Sequence, residues 1–141
     1  MKSNWKDEKH IVLDACALIA FLNDEPGAEI VAAILEHTPS VDISAINLLE
    51  IAYDAARRSG SAQSITELLD VVNQLPIKIH WRIDNEIFKH AAIFKSSFRI
   101  SLADAVALAL AKSFDAPVAS SDHHEFDLLE ANGTSRFVWI R

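Results

Sequence analysis

Four carboxylates stand where the surrounding sequence is least hospitable to charge. Asp14 closes the apolar run Ile11-Val12-Leu13, and Glu50 sits among Leu48, Leu49, Ile51 and Ala52. Asp104 is the only charged residue between Arg99 and Lys112, and Asp122 ends Val118-Ala119-Ser120-Ser121. A carboxylate in apolar surroundings is costly unless it is hydrogen-bonded, paired or bound to a cation. Each of the four has a local explanation. Asp14 and Asp122 can cap the helices that follow them. Ser101 with Asp104 three residues on resembles a capping box with Asp in place of Glu, and Asp122 with Glu125 repeats the pattern. Glu50 can pair with Arg57 or Arg58, or its stripe can simply face solvent. The other reading is that the acids meet. Like charges within a few ångströms raise one another's pKa, and a hard divalent cation removes that conflict, since Mg²⁺ and Mn²⁺ prefer carboxylate and water oxygens. Beside a phosphodiester such an ion can lower the pKa of a bound water, orient it for in-line attack and neutralise charge on the leaving oxygen. No competing ligand set is evident. His123 and His124 are adjacent, would point about 100° apart on a helix, and are read as surface residues. The lone Cys16 lies in an apolar run and is read as a core residue rather than a nucleophile.

The elements that would position these acids follow from hydrophobic periodicity. Ile11-Val12-Leu13 reads as a strand covered on both faces, with Asp14 at the turn into an Ala- and Leu-rich helix that ends at Glu25-Pro26-Gly27. Asp14 would then sit at the carboxyl end of a central parallel strand, where open α/β sheets bind their ligands. A second helix spans Ala28 to His37, a short β-branched strand covers Val41-Asp42-Ile43, and Ser44 caps a helix beginning at Ala45. That helix is almost wholly apolar except for Asn47, Glu50 and Asp54. These share one narrow stripe, so the helix is expected to be largely buried. Gly60 precedes a helix from Ser64 to Asn73, and Leu75 to Trp81 alternates like an edge strand. Asp84 or Asn85 starts a helix that runs to about Phe98, and Leu102 to Lys112 reads as a buried helix. Ala116 to Asp122 forms another strand, a helix starts at His123, and Arg136 to Ile140 forms a last strand.

With 141 residues and no linker-like stretch, the chain fits one domain, residues 10–141, preceded by a polar extension over residues 1–9. One cysteine permits no intrachain disulfide, and the N-terminus lacks the apolar core of a signal peptide, so a cytoplasmic location without a membrane anchor is expected. A formal charge of -7 argues against a strong sequence-indifferent nucleic-acid binder, but not against a nuclease whose acids are filled by cations. Lys78, Arg82, Lys89, Lys95 and Arg99 could hold a phosphate backbone or be ordinary solvated surface.

The order Ile11-Val12-Leu13-Asp14, Asn47-Leu48-Leu49-Glu50, Ser101-Leu102-Ala103-Asp104-Ala105 and Ser120-Ser121-Asp122 resembles the PIN-domain nucleases, and especially the VapC-like toxins of bacterial type II toxin–antitoxin modules. The Ser-Leu-x-Asp-Ala segment is its most specific part. The resemblance implies a three-layer α/β/α sandwich with a mainly parallel sheet of four to five strands. It also implies a Mg²⁺- or Mn²⁺-dependent endoribonuclease in which Asp14, Glu50, Asp104 and Asp122 hold the metal, with Ser120 and Asn47 as supporting residues. A homodimer inhibited by a cognate antitoxin protein is implied as well. Where many relatives carry Ser or Thr directly after the first Asp, this chain has Ala15 and Cys16.

Two readings from other classes compete. A catalytically silent PIN-like module would keep the fold and the caps, bind other proteins, and never load metal. Phosphoryl transfer through an aspartyl nucleophile at Asp14 would call for a second Asp two residues on, where Cys16 stands. Dinucleotide-binding and P-loop readings fail because Gly27, Gly60 and Gly133 are isolated, and there is no Gly-x-Ser-x-Gly elbow.

Overall fold

In the computed structural model, which describes residues 4–141, the five apolar segments form one all-parallel sheet. The strands are β1 (His10–Leu13), β2 (Ser40–Ser44), β3 (Lys78–His80), β4 (Val118–Ser120) and β5 (Phe137–Trp139), in the order β3-β2-β1-β4-β5. Between them run α1 (Ala15–Leu22), α2 (Ala28–His37), α3 (Ala45–Ser59), α4 (Gln63–Asn73), α5 (Asn85–Ser97), α6 (Leu102–Ser113) and α7 (His123–Ala131). Strand alternation divides the core between two faces. Ile11, Leu13, Val41, Ile43, Ala119 and Val138 pack against α1 to α4, whereas Val12, Val118 and Phe137 pack against α5 to α7. The result is the α/β/α sandwich that the resemblance implied, and β1, buried on both faces, is its centre. Because β2 and β3 lie to one side of β1 and β4 and β5 to the other, the order reverses between β1 and β4. Their carboxyl ends flank the crevice where doubly wound sheets hold ligands.

Several local features depart from the sequence-based expectations. Residues 4–9 carry a 3-10 turn at Trp5–Asp7; Trp5 packs against the core, and Glu8 is paired with Arg136. Cys16, expected in the core, is exposed. Ala15, Ala17, Leu18 and Ala20 take the buried side of α1, and a helix apolar all round gives no periodicity from which the outward position could be read. The expectation that α3 is largely buried is likewise corrected. Asn47, Leu48, Ile51 and Ala52 face inward, while Leu49, Glu50 and Tyr53 are exposed.

Gly27 has φ +99°, and a Cβ there would lie 2.7 Å from the carbonyl oxygen of Ile140, so only glycine fits at the start of α2. Asp42, inside β2, is fully buried. It accepts from His80 Nε2 at 2.7 Å, lies 3.0 Å from His10 Nδ1, and also accepts from Ser40 Oγ.

Candidate metal centre

Asp14 begins α1 directly after β1, and its Oδ1 accepts the Ala17 N–H at 2.8 Å. The capping reading is therefore correct, but it uses one oxygen. Asp14 is 1% exposed, and Oδ2 is shielded from solvent without a hydrogen-bond partner. Burial pushes this carboxyl up to about 7. The nearby Ser120 hydroxyl and the Ala17 amide oppose that rise, and the charges of Asp104 and Asp122 add to it. Such an orphaned oxygen is costly in a folded interior and calls for a missing partner.

Asp122 follows β4 and caps α7 in the same manner, its Oδ1 accepting the Glu125 N–H at 3.1 Å. Its own N–H donates to Ser120 Oγ at 2.9 Å, which leaves the hydroxyl proton of the fully buried Ser120 free to favour an anionic Asp14. Asp104 lies in the first turn of α6, its N–H donating to Ser101 Oγ at 3.0 Å. Burial raises its carboxyl to about 6, the Ser101 hydroxyl counters this, and the charges of Asp122, Glu50 and Glu125 reinforce it. Glu50, on the outward side of α3, is raised by partial burial. Arg57 and Arg58, its suggested partners, both bind Asp54 instead, at 2.9 Å each.

The tightest grouping is Asp104, Asp122 and Glu125, whose carboxylate oxygens lie within 4.8 Å of one another. Asp14 and Glu50 border it through the electrostatic couplings described above. Among the described residues, none of these five acids forms an ion pair with Lys, Arg or His. An all-oxygen donor set with an orphaned buried carboxylate oxygen and raised carboxyl pKa values fits a hard divalent cation. Asn47, fully buried, donates from Nδ2 to the Ala103 carbonyl at 3.2 Å, tying α3 to the first turn of α6. Glu125 was not singled out from the sequence because its position three after Asp122 had a sufficient explanation as part of a capping box. Although Cys16 is exposed, packing on its inner side, and then the charges of Asp14, Asp122, Asp104 and Glu50, push its thiol up to about 12. It borders the acids as a neutral group. A separate cleft of about 780 Å³, between Trp5, Ile30, Phe137 and Trp139 at the outer edge of β5, is lined by none of the five acids.

The sequence matches the family model of the PIN domain over residues 11–131. The chain belongs to the PIN domain family. The PIN domain is a nuclease family.

Among solved structures, VapBC2 from Rickettsia felis bound to a DNA fragment from its promoter is similar with a TM-score of 0.70 at 14% identity, over 92% of this chain and 98% of that one. VapBC-1 from nontypeable Haemophilus influenzae gives a TM-score of 0.67 at 19% identity, over 93% and 98%. VapC20 from Mycobacterium tuberculosis, a Sarcin-Ricin loop cleaving toxin, gives 0.59 at 15% identity, over 78% and 86%. At these identities the likeness is one of fold. No curated protein matches the sequence.

Proposed function

We propose that this PIN domain is a Mg²⁺- or Mn²⁺-dependent endoribonuclease, acting in the cytoplasm as the toxin of a toxin–antitoxin pair. The observation that carries the reading is the buried Asp14 Oδ2, without a partner and in the field of Asp104 and Asp122. A purely structural capping role accounts for one oxygen of Asp14 and leaves this one unexplained. Asp14, Glu50, Asp104 and Asp122 would hold the cation, which when bound activates water and neutralises charge on a phosphodiester. The chain's own residues prepare the site. Asp14 and Asp104, raised to about 7 and about 6, hold protons more readily than ordinary carboxyls and would give them up where a cation is held. Ser120 fixes the Asp122 amide and faces Asp14, and Asn47 holds α3, with Glu50, against the turn that carries Asp104.

RNA is favoured as substrate because VapC20, similar in fold, is a Sarcin-Ricin loop cleaving toxin. A site whose rim residue Glu50 is exposed suits a polymer better than an enclosed small molecule. With two Mg²⁺ bound the formal charge would be -7 + 4 = -3, so affinity for RNA should be modest and selectivity should rest on shape or single-stranded loops. Leu49, Tyr53 and Leu102, 60%, 65% and 66% exposed, neighbour Glu50 and Asp104 in sequence. They offer apolar surface to a covering antitoxin or a second copy of the chain, consistent with structural relatives solved as toxin–antitoxin complexes. The test is cleavage of a hairpin RNA with single-stranded loops by wild type and Asp14→Asn, in Mn²⁺, Mg²⁺ and EDTA. The reading expects wild-type cleavage only with metal and none by the variant; undiminished cleavage by the variant or in EDTA would refute it.

A further inference from the structure

We infer that Glu125 is a fifth metal-binding carboxylate, released for that role by the hydroxyl of Ser120. This deepens the metal-site reading above and rests on it. In a capping box, the acid at the third position of the helix reaches back to accept the N–H of the capping residue. In α7 half of the box is made, since Asp122 Oδ1 accepts the Glu125 N–H at 3.1 Å. The reciprocal half is not. The Asp122 N–H goes to Ser120 Oγ at 2.9 Å, so the acceptor place that Glu125 would fill is taken. Its Oε2 is left shielded from solvent without a hydrogen-bond partner, and its carboxylate lies within 4.8 Å of those of Asp104 and Asp122.

Two orphaned carboxylate oxygens therefore stand beyond neighbouring strands, Asp14 Oδ2 directly after β1 and Glu125 Oε2 in α7 after β4. Asp14, 1% exposed, points independently to a ligand there. Three acids with no counter-ion among the described residues repel one another, and a cation among them both pairs the orphaned oxygen and removes the repulsion. Asp104 and Asp122 are the acids common to the Glu125 grouping and to the field around Asp14.

Calorimetric titration with Mn²⁺ alone tests this on the full chain, alongside thermal unfolding in EDTA. Glu125→Gln keeps the shape and the helix while removing the charge. It should raise the Mn²⁺ dissociation constant about tenfold or more and leave the unfolding midpoint in EDTA unchanged or higher. Glu125→Asp keeps the charge but withdraws the oxygens by one carbon; it should also bind Mn²⁺ more weakly, which covers the case in which the Gln variant does not fold. Ser120→Ala should weaken Mn²⁺ binding by returning the Asp122 amide to Glu125, and adding Glu125→Gln to it should cost less than Glu125→Gln costs alone. Wild-type affinity in both Glu125 variants would make Glu125 a capping residue only and overturn the inference while leaving the metal site intact. A folded wild type that takes up no Mn²⁺ would overturn the metal site and this inference together.

Discussion

Asp14→Asn isolates what it costs to hold a buried carboxylate without a cation. Asparagine has the same shape, and its amide oxygen still accepts the Ala17 N–H, so the cap on α1 survives. The charge is what changes. Burial raises Asp14 from 3.8 to about 7, so the folded chain keeps this proton over a range in which the unfolded chain has already released it. Stability is therefore lost as pH rises from the lower value through the higher one. At about 1.4 kcal/mol for each pH unit between the two, the penalty is near zero at about pH 3, about 2 kcal/mol at about pH 5 and about 4 kcal/mol at about pH 8.

Urea unfolding of both proteins in EDTA at those pH values measures it. The stability of Asp14→Asn minus that of wild type should climb through that series, because the subtraction cancels titrating groups that do not bear on Asp14. Saturating Mn²⁺ at about pH 8 should reverse the order, since it stabilises only a chain that binds it. A difference that stays flat with pH, or a wild type more stable than the variant in EDTA at about pH 8, would refute the reasoning.

Three further outcomes follow from the same structure. Asp42→Ala strips His10 and His80 of their shared buried hydrogen-bond partner and should destabilise the fold by about 1–3 kcal/mol in urea unfolding, with Mn²⁺ affinity little changed. Asn47→Ala removes the bond to the Ala103 carbonyl; it should cost about 1–3 kcal/mol and weaken Mn²⁺ binding less than Asp104→Asn does. Cys16, raised from 9.0 to about 12 by burial first and by the neighbouring acids second, should react with iodoacetamide at about pH 8 on the order of thirtyfold more slowly than a free cysteine, the lower thiolate fraction being partly offset by a more nucleophilic thiolate. Mn²⁺ should accelerate that reaction by offsetting the neighbouring acids, and alkylation at the free-cysteine rate without metal would contradict the raised thiol.

The inner strands were legible because they are covered on both faces. Ile11-Val12-Leu13 and Val118-Ala119 carry no polar position that a solvent-facing strand would require, and a carboxylate follows each. The helix starts were legible from chemistry local to four residues, as the bonds from Ala17, Asp104 and Glu125 amides to Asp14, Ser101 and Asp122 bear out. What lay hidden depends on facing directions or on distant partners. Cys16 and Tyr53 belong to helices whose apolar residues leave the exposed side undefined until the sheet is in place. The burial of Asp42 depends on imidazoles 32 and 38 residues away. Glu125 was obscured by a local rule that holds for its amide and fails for its carboxylate, because a buried hydroxyl on the preceding strand takes the other bond.

The most direct measurement is the anomalous diffraction of crystals soaked in Mn²⁺ without substrate. The account predicts a manganese peak in the crevice beyond β1 and β4, with Asp14 Oδ2 and carboxylate oxygens of Asp104 and Asp122 at bonding distance of about 2.0–2.3 Å. A soaked crystal with that crevice filled only by water, and the same side chains still capping their own helices, would contradict it.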